Sequence, residues 1–429
     1  MKIGVFGLWH LGCTIAASWG ELGKDVIGYD YNNDIVKNLK NGIPPLYEPY
    51  LESYIKDGLK NKNISFTDNK LDFLDCDYVF VTYDTPVDDN DNSDTTILTD
   101  SINDLGKILK NGSIVIISSQ SPVGFCSDLR VLLQTHNKTL ELAYSPENLR
   151  LGEAIRCYLE PERIIIGTDN KETEKKCLEL FGEIPNRNYF QEKNQTELLC
   201  MSLESAEMVK HGINSFLATS VVFADHLSDI CFKTGANMKD VVKGMKSDNR
   251  IGKKAYLTPG VGFSGGTLGR DLKVLKNKNN KILEGGFWKP AKIFEMIHNF
   301  NNDRKDVVLS RIISTFGNLE NKKIGVLGLT YKPGTSTLRR SIPIEIVNLM
   351  IEQGAIIKAF DPKADYNELT ETPKFEISNS IDEAIDGVDL IIILTEWNEF
   401  KIHNWMLVNT DIFDTKSFLD INKNNYYTL

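Results

Sequence analysis

Lys2-Ile3-Gly4-Val5-Phe6-Gly7-Leu8-Trp9-His10-Leu11-Gly12 decides the fold. A short apolar, strand-like run ends in Gly7, and a helical pattern follows from about Leu11 through Ala17 and Leu22. A second strand-like run, Asp25 to Tyr29, leads into Asp30. Strand, turn, helix and strand in this order predict a βαβ unit. A dinucleotide turn in that setting wants G-x-G-x-x-G. The first glycine makes the tight turn, the second lets a pyrophosphate approach the backbone, and the third lets helix pack on strand. Gly7 and Gly12 supply the outer pair, and Trp9 stands at the middle position. On spacing alone a plain βα turn competes evenly. Asp30 favours the dinucleotide, because a carboxylate there can bind the adenosine ribose 2′-hydroxyl and would repel a 2′-phosphate, selecting NAD over NADP. A helix N-cap is the competing role for Asp30.

Outward from this unit, strand-like runs recur at Tyr78–Thr82, Ser113–Ser118, Leu140–Tyr144 and Arg163–Gly167, separated by helix-like stretches. Val- and Ile-rich strands alternating with helices predict a parallel sheet covered on both faces. From about Leu198 to Thr234 one long segment carries apolar residues at helical spacing, including Met208, Ile213, Phe216, Leu217, Val221 and Phe223. A helix of that length, apolar on more than one stripe, bridges domains or subunits. The opening then repeats: Lys323 to Leu329 reads KIGVLGL where Lys2 to Leu8 reads KIGVFGL. Further strands are expected at Ile356–Phe360, Leu390–Leu394 and Asp411–Asp414. The expected class is α/β, with two Rossmann-like doubly wound domains joined by a long central helix and helical region. The boundaries fall near 195 and 318, giving segments 1–195, 196–317 and 318–429.

The chain has 429 residues, 41% of them hydrophobic, and a formal net charge of -10. At roughly 150 residues per domain, two or three domains are expected. The acidic balance argues against duplex nucleic acid or an anionic membrane surface as partner, since both require excess Lys and Arg on one face. The basic stretch Lys273 to Lys281 is short and reads as a solvated face. No apolar run approaches the roughly 20 residues of a spanning helix, and no secretion signal precedes Lys2, so a cytoplasmic protein is expected. Seven scattered cysteines without metal spacing read as reduced thiols.

Four more segments could carry chemistry. Tyr144 to Arg150 (YSPENLR) follows a strand, where ligands bind in open α/β sheets; a surface ion pair is the plainer reading. Lys210 and Asn214 lie four apart on the long helix and share a face, as would an exposed polar stripe. His211 and His226 lack ligand partners at metal spacing and read as structural or exposed. Pro259 to Asp271 (PGVGFSGGTLGRD) is a glycine-rich loop entering a helix, suited to close approach of backbone to a ligand or simply a turn cluster. Gly328 to Thr335 (GLTYKPGT), with Arg339, Arg340 and Ser341 behind it, clusters donors that suit a phosphate or sugar, or an ordinary basic helix start.

Taken in order, these segments resemble the UDP-glucose/GDP-mannose dehydrogenase family over nearly the whole chain. The resemblance is carried by GIPPLYEP at Gly42–Pro49, TYDTP at Thr82–Pro86, SPENLR at Ser145–Arg150, ESAEMVKHGINSFLA at Glu204–Ala218, DNRIG at Asp248–Gly252, PGVGFSGG at Pro259–Gly266, GLTYKPGT at Gly328–Thr335 and LTEWNEF at Leu394–Phe400. It implies an N-terminal NAD domain, a central helix that forms a homodimer, and a C-terminal domain binding a UDP- or GDP-linked sugar. It implies oxidation of the sugar C6 alcohol to a carboxylate by two NAD, through a cysteine-bound thiohemiacetal and thioester. Cofactor contacts are implied at Gly7, Trp9, Leu11, Gly12, Asp30, Thr85, Gln120, Arg270 and Arg339. Substrate contacts are implied at Glu147, Leu149, Leu151, Lys210, Asn214, Arg250, Tyr256, Gly260, Phe263 and Lys332. Glu147, Lys210, Asn214 and Asp271 match catalytic positions, and no metal is implied.

Three of four departures fall on one half of the reaction. Thr267 stands at the nucleophilic cysteine, Gln120 at the water-holding threonine, Leu151 at a second glutamate and Arg270 at the usual lysine. A threonine hydroxyl supplies almost no anion at pH 7 without an adjacent base, and Leu151 cannot take up a proton or position water. Lys210 and Asn214 can still stabilise a developing alkoxide, and Asp271 can accept a proton. The expectation is an NAD-dependent nucleotide-sugar oxidoreductase with altered chemistry, either a single two-electron oxidation or two oxidations through a hydrated aldehyde. A non-catalytic nucleotide-sugar binder and an epimerase-like enzyme that recycles NAD are the alternatives, the first motivated by Trp9 and by Asp84 in TYDTP.

Overall fold

The two KIGV runs become equivalent strands in two separate sheets. The computed structural model describes residues 1–86, 93–146, 149–185, 196–265, 267–283, 292–369 and 371–429. They divide into two units, Met1–His211 and Gly212–Leu429.

The first unit runs β1 (Lys2–Phe6), α1 (His10–Glu21), β2 (Asp25–Tyr29), α2 (Asn33–Lys40), α3 (Leu51–Asn61), β3 (Ile64–Thr67), β4 (Tyr78–Val81), α4 (Thr96–Ile108), β5 (Ile114–Ile117), α5 (Phe125–His136), β6 (Glu141–Tyr144), α6 (Ala154–Leu159), β7 (Arg163–Gly167), α7 (Lys171–Phe181) and β8 (Glu197–Met201). The sheet order is β3-β2-β1-β4-β5-β6-β7-β8. Its first six strands are parallel and have the order of a doubly wound dinucleotide fold, with the switch point between β1 and β4. Alternate residues of β5 enter opposite cores: Ile114 and Ile116 join one cluster, Val115 and Ile117 the other. That is why these strands read as unbroken apolar runs.

Three expectations need correction. Strand β7 pairs antiparallel with β6, so the sheet is not wholly parallel. Residues 197–201, read as the start of the long helix, form β8, parallel to β7. An apolar run of five residues fits either structure by periodicity alone. The Ser202 hydroxyl then accepts from the Ser205 amide at 3.2 Å, an N-cap that starts helix α8 (Leu203–Thr234). Finally, α8 is long and apolar enough to span a bilayer by length and composition. Glu207, Lys210, His211, Asp225 and Asp229 are spread along it.

The second unit continues with α9 (Met238–Ser247), α10 (Thr267–Leu283), α11 (Ile293–Phe316), β9 (Lys323–Leu327), α12 (Ile342–Glu352), β10 (Ile356–Phe360), β11 (Glu376–Ile377), α13 (Ile381–Ile385), β12 (Leu390–Ile393), α14 (Asn398–Ile402), β13 (Asp411–Asp414) and β14 (Tyr426–Thr428). Its sheet order, β11-β10-β9-β12-β13-β14, repeats the doubly wound pattern with every pair parallel. Leu390 and Ile392 enter one core, Ile391 and Ile393 the other.

Candidate functional site

In the first unit, the C-terminal ends of β1, β2, β4 and β5 carry the residues singled out by sequence. Gly7 leaves β1 with φ 109°, a conformation in which only glycine is unstrained. A Cβ on Gly12 would stand 1.7 Å from the Gly7 carbonyl oxygen, so α1 can pack on this turn only with glycine there. Trp9 differs: its φ is -83°, open to any L-residue, and its side chain is 45% exposed. The middle position thus imposes no backbone requirement for glycine.

Asp30 ends β2 nearly buried. Its Oδ2 accepts from the Leu8 amide at 2.6 Å and its Oδ1 from the Asn32 amide at 2.8 Å. Burial pushes its carboxyl pKa up, opposed by those two amides. The N-cap of α2 is Asn32, so Asp30 is not the cap; it fastens the glycine turn to the end of β2. Thr82 donates to the Gly7 carbonyl at 2.6 Å. Thr85 donates to the Gln120 carbonyl at 2.9 Å, joining the loops after β4 and β5. The glycine cradle, the switch point and Asp30 together fit an NAD dinucleotide.

Sequence reasoning missed two buried carboxylates that brace this end of the sheet. Glu48, from GIPPLYEP, lies 2.9 Å from His10 Nε2 and accepts from the Gly152 amide at 2.8 Å. It ties the first residue of α1 to the loop after β6. Glu207 on α8 accepts from the Gly124 and Cys126 amides at 2.5 and 2.8 Å, capping α5, and burial raises its pKa. One turn on, His211 is 2.8 Å from the Ser121 carbonyl, the structural role expected of it. His226 is exposed, with its Nδ1 3.0 Å from the Val222 carbonyl.

In the second unit, the Asn214 amide donates to Asp271 Oδ2, and both side chains are buried. Lys210, half-buried, precedes Asn214 by one turn of α8. Arg270 Nε is 3.9 Å from Asp271 Oδ1. Thr267 is the exposed first residue of α10. The glycine-rich loop before it is held from three sides. Asp225 accepts from the Gly260 amide at 2.6 Å, and Arg304 donates to the Gly260 carbonyl at 2.9 Å and to Asp229 at 2.6 Å. Asn301 brackets the Phe263 backbone, accepting at 2.7 Å and donating at 2.9 Å. The Gly265 amide donates to the Arg340 carbonyl at 3.3 Å, which brings the loop to the GLTYKPGT segment. Burial pushes the Asp225 carboxyl up to about 6, with Arg304 pulling the other way. Asp361, ending β10, accepts from the Leu329 amide at 2.8 Å, the counterpart of Asp30 and Leu8.

The structure therefore joins Asn214 to Asp271, and Gly260 and Phe263 to one braced loop. Lys332 and Arg339 lie exposed beyond β9. Arg250 is exposed and paired with Asp248 at 2.7 Å, and Tyr256 is 63% exposed. Leu149 packs against the first core, Leu151 is 44% exposed, and Glu147 lies outside the described residues. Among the described residues no cluster of His, Cys, Asp and Glu could hold a metal ion.

Comparisons with known proteins establish the family of the chain. Three family models match in order: the NAD-binding domain of the UDP-glucose/GDP-mannose dehydrogenase family at 1–185, its central domain at 204–303 and its UDP-binding domain at 325–423. The chain is 31% identical to UDP-glucose 6-dehydrogenase of Rickettsia typhi, covering 98% of this chain and 96% of that protein. It is 28% identical to the Bacillus subtilis UDP-glucose 6-dehydrogenase YwqF, covering 100% and 94%. Among solved structures, a UDP-glucose dehydrogenase from Pyrobaculum islandicum superposes with TM-score 0.83 at 24% identity, covering 96% of this chain and 93% of that one. The chain belongs to the UDP-glucose/GDP-mannose dehydrogenase family, and is an NAD-dependent oxidoreductase of the nucleotide-sugar dehydrogenase type.

Proposed function

We propose that this protein oxidises the C6 alcohol of a UDP-sugar to the aldehyde in a single two-electron step and releases it there. The observation that carries this reading is Thr267 at the position where the family has its nucleophilic cysteine. The one cysteine of the second unit, Cys231, is buried with its thiol 3.8 Å from Met238 Sδ. The other six thiols belong to the first unit, and burial raises the pKa of each. A threonine hydroxyl at a helix N-terminus gains a little from the dipole, far too little to make it an alkoxide at neutral pH.

The first half of the reaction keeps its groups. NAD, held by Gly7, Gly12 and Asp30, supplies the two-electron acceptor. The Lys210 ammonium and the Asn214 amide donate to the reacting oxygen as its proton leaves, and Asp271 fixes the Asn214 amide. The C6 hydrogen departs as hydride and the hydroxyl proton goes to solvent or a carboxylate, leaving an aldehyde, NADH and a proton. UDP is favoured as the base by the family model matched at 325–423.

The same reading assigns 1–195 to the cofactor, 196–317 to dimerisation and 318–429 to the nucleotide. The dimer face is the stripe Phe216, Phe223 and Ile230, seven residues apart and 72%, 50% and 59% exposed. Exposed apolar residues at that spacing fit a second helix. A cytoplasmic setting suits seven free thiols. Turnover of UDP-glucose in the presence of methoxyamine tests the product: an oxime mass at C6 is expected, and a carboxylate without oxime would refute the reading.

A further inference from the structure

The second unit also holds a cavity of about 310 Å³ that the reaction leaves unused, lined by the end of α8, the start of α9, α11 and the β13–β14 region. Arg311 lines it and is only 9% exposed. Its guanidinium carbon lies 3.0 Å from the centroid of the Phe232 ring. Among the described residues no carboxylate stands within ion-pair distance of it. Asp229, the acid that acts on it electrostatically, is bonded to Arg304 at 2.6 Å. Desolvation lowers the Arg311 pKa to about 10, the mark of a buried cation short of counter-charge.

Three further features converge there. Ser228 is 1% exposed, lines the cavity, and its Oγ has no hydrogen-bond partner among the described residues. A helical serine usually returns its hydroxyl to a carbonyl one turn back; Ser228 does not. Asn237 caps α9 through the Asp240 amide at 3.2 Å. The amides of Met238 and Lys239, in the first turn, have no intrahelical acceptor and belong to cavity-lining residues. Ser417, on the opposite wall, holds φ at 53°, a strained backbone of the kind that clusters at ligand sites. Among the described residues no Asp or Glu side chain lines the cavity, although the chain carries a net charge of -10.

We propose that this cavity binds a small phosphomonoester, with Arg311 and Lys239 neutralising the phosphate and Ser228 and the α9 amides donating to its oxygens. Its volume admits a sugar phosphate. The site is distinct from the nucleotide-sugar site: Ser228 lies fourteen residues beyond Asn214 on α8, roughly 21 Å along the helix. It is linked to the glycine-rich loop, because Asp229, next to Ser228, holds Arg304, which holds the Gly260 carbonyl.

The test uses the full chain saturated with UDP, titrated with inorganic phosphate and with glucose 6-phosphate against chloride at matched ionic strength, and read by thermal shift. A saturable rise in Tm with either phosphate, absent with chloride, is expected. Arg311→Gln should weaken that apparent affinity about ten-fold or more while leaving KM for NAD and UDP-glucose unchanged. If Arg311→Gln does not fold, Lys239→Gln, at an exposed position, replaces it and should also weaken phosphate binding. Absence of a saturable rise, or a rise that survives substitution, overturns the proposal. The readout is binding without turnover, so it stands or falls independently of the aldehyde-forming reaction.

Discussion

Gly12 and Trp9 share one turn and obey different constraints. Any Cβ at Gly12 meets the Gly7 carbonyl at 1.7 Å, so Gly12→Ala must push α1 off β1. NAD binding by calorimetry should be lost and the protein destabilised by several kcal/mol. Trp9→Gly meets no such wall: at an exposed position with φ -83° it should change stability by about 1 kcal/mol at most and leave NAD affinity within a few-fold. On the proposed mechanism, Asn214→Ala removes a donor to the reacting oxygen and one hydrogen bond from the buried Asp271. It should lower kcat about 10²-fold or more in NADH-release assays. The glycine turn was legible because it rests on local spacing to a strand end, whereas the role proposed for Asn214 came only from the family resemblance, its helical spacing suiting an exposed polar stripe as well. Glu48 and Glu207 were not legible: their partners Gly152 and Gly124 lie 104 and 83 residues away, and only the fold brings them together.

Among the elements, α8 carries most of what the sequence disclosed and the main thing it concealed. Its length and striping were plain, whereas the strand at 197–201 before it was hidden by an apolar run that suits either structure. What ends the ambiguity is the Ser202 cap and an open edge beside β7, which is tertiary information. If the Phe216–Phe223–Ile230 stripe is the dimer face, Phe223→Asp should give a folded monomer by light scattering; a persistent dimer would move the interface elsewhere. The α8 carboxylate Asp225 also sets a pH dependence. Its folded pKa is raised to about 6 from 3.8, so the native state binds the extra proton between those values. The contribution of Asp225 to stability therefore declines as pH rises from about 4 to 6 and is level above. In urea titrations across that window Asp225→Asn should show a flatter slope than the wild type.

At the scale of the molecule, each unit holds a doubly wound sheet, the six strands of the second following the order of the first six strands of the first, and the repeated KIGV runs announced both. The reversal at β7 had no counterpart in the sequence pattern, because strand direction depends on connections rather than on the apolarity of a run. Chemical function was legible through family motifs, and the structure adds which groups brace them: Asp30 and Asp361 on the two turns, and Asp225, Asn301 and Arg304 on the glycine-rich loop. On the proposed reading, Thr267 in place of a cysteine leaves a reaction centre equipped for one hydride transfer and lacking the sulfur that would prepare a second. Counting NADH formed per UDP-sugar consumed, to complete conversion with excess NAD, tests this most directly. One NADH per sugar is the predicted value; two, with a uronic acid as product, would contradict the account.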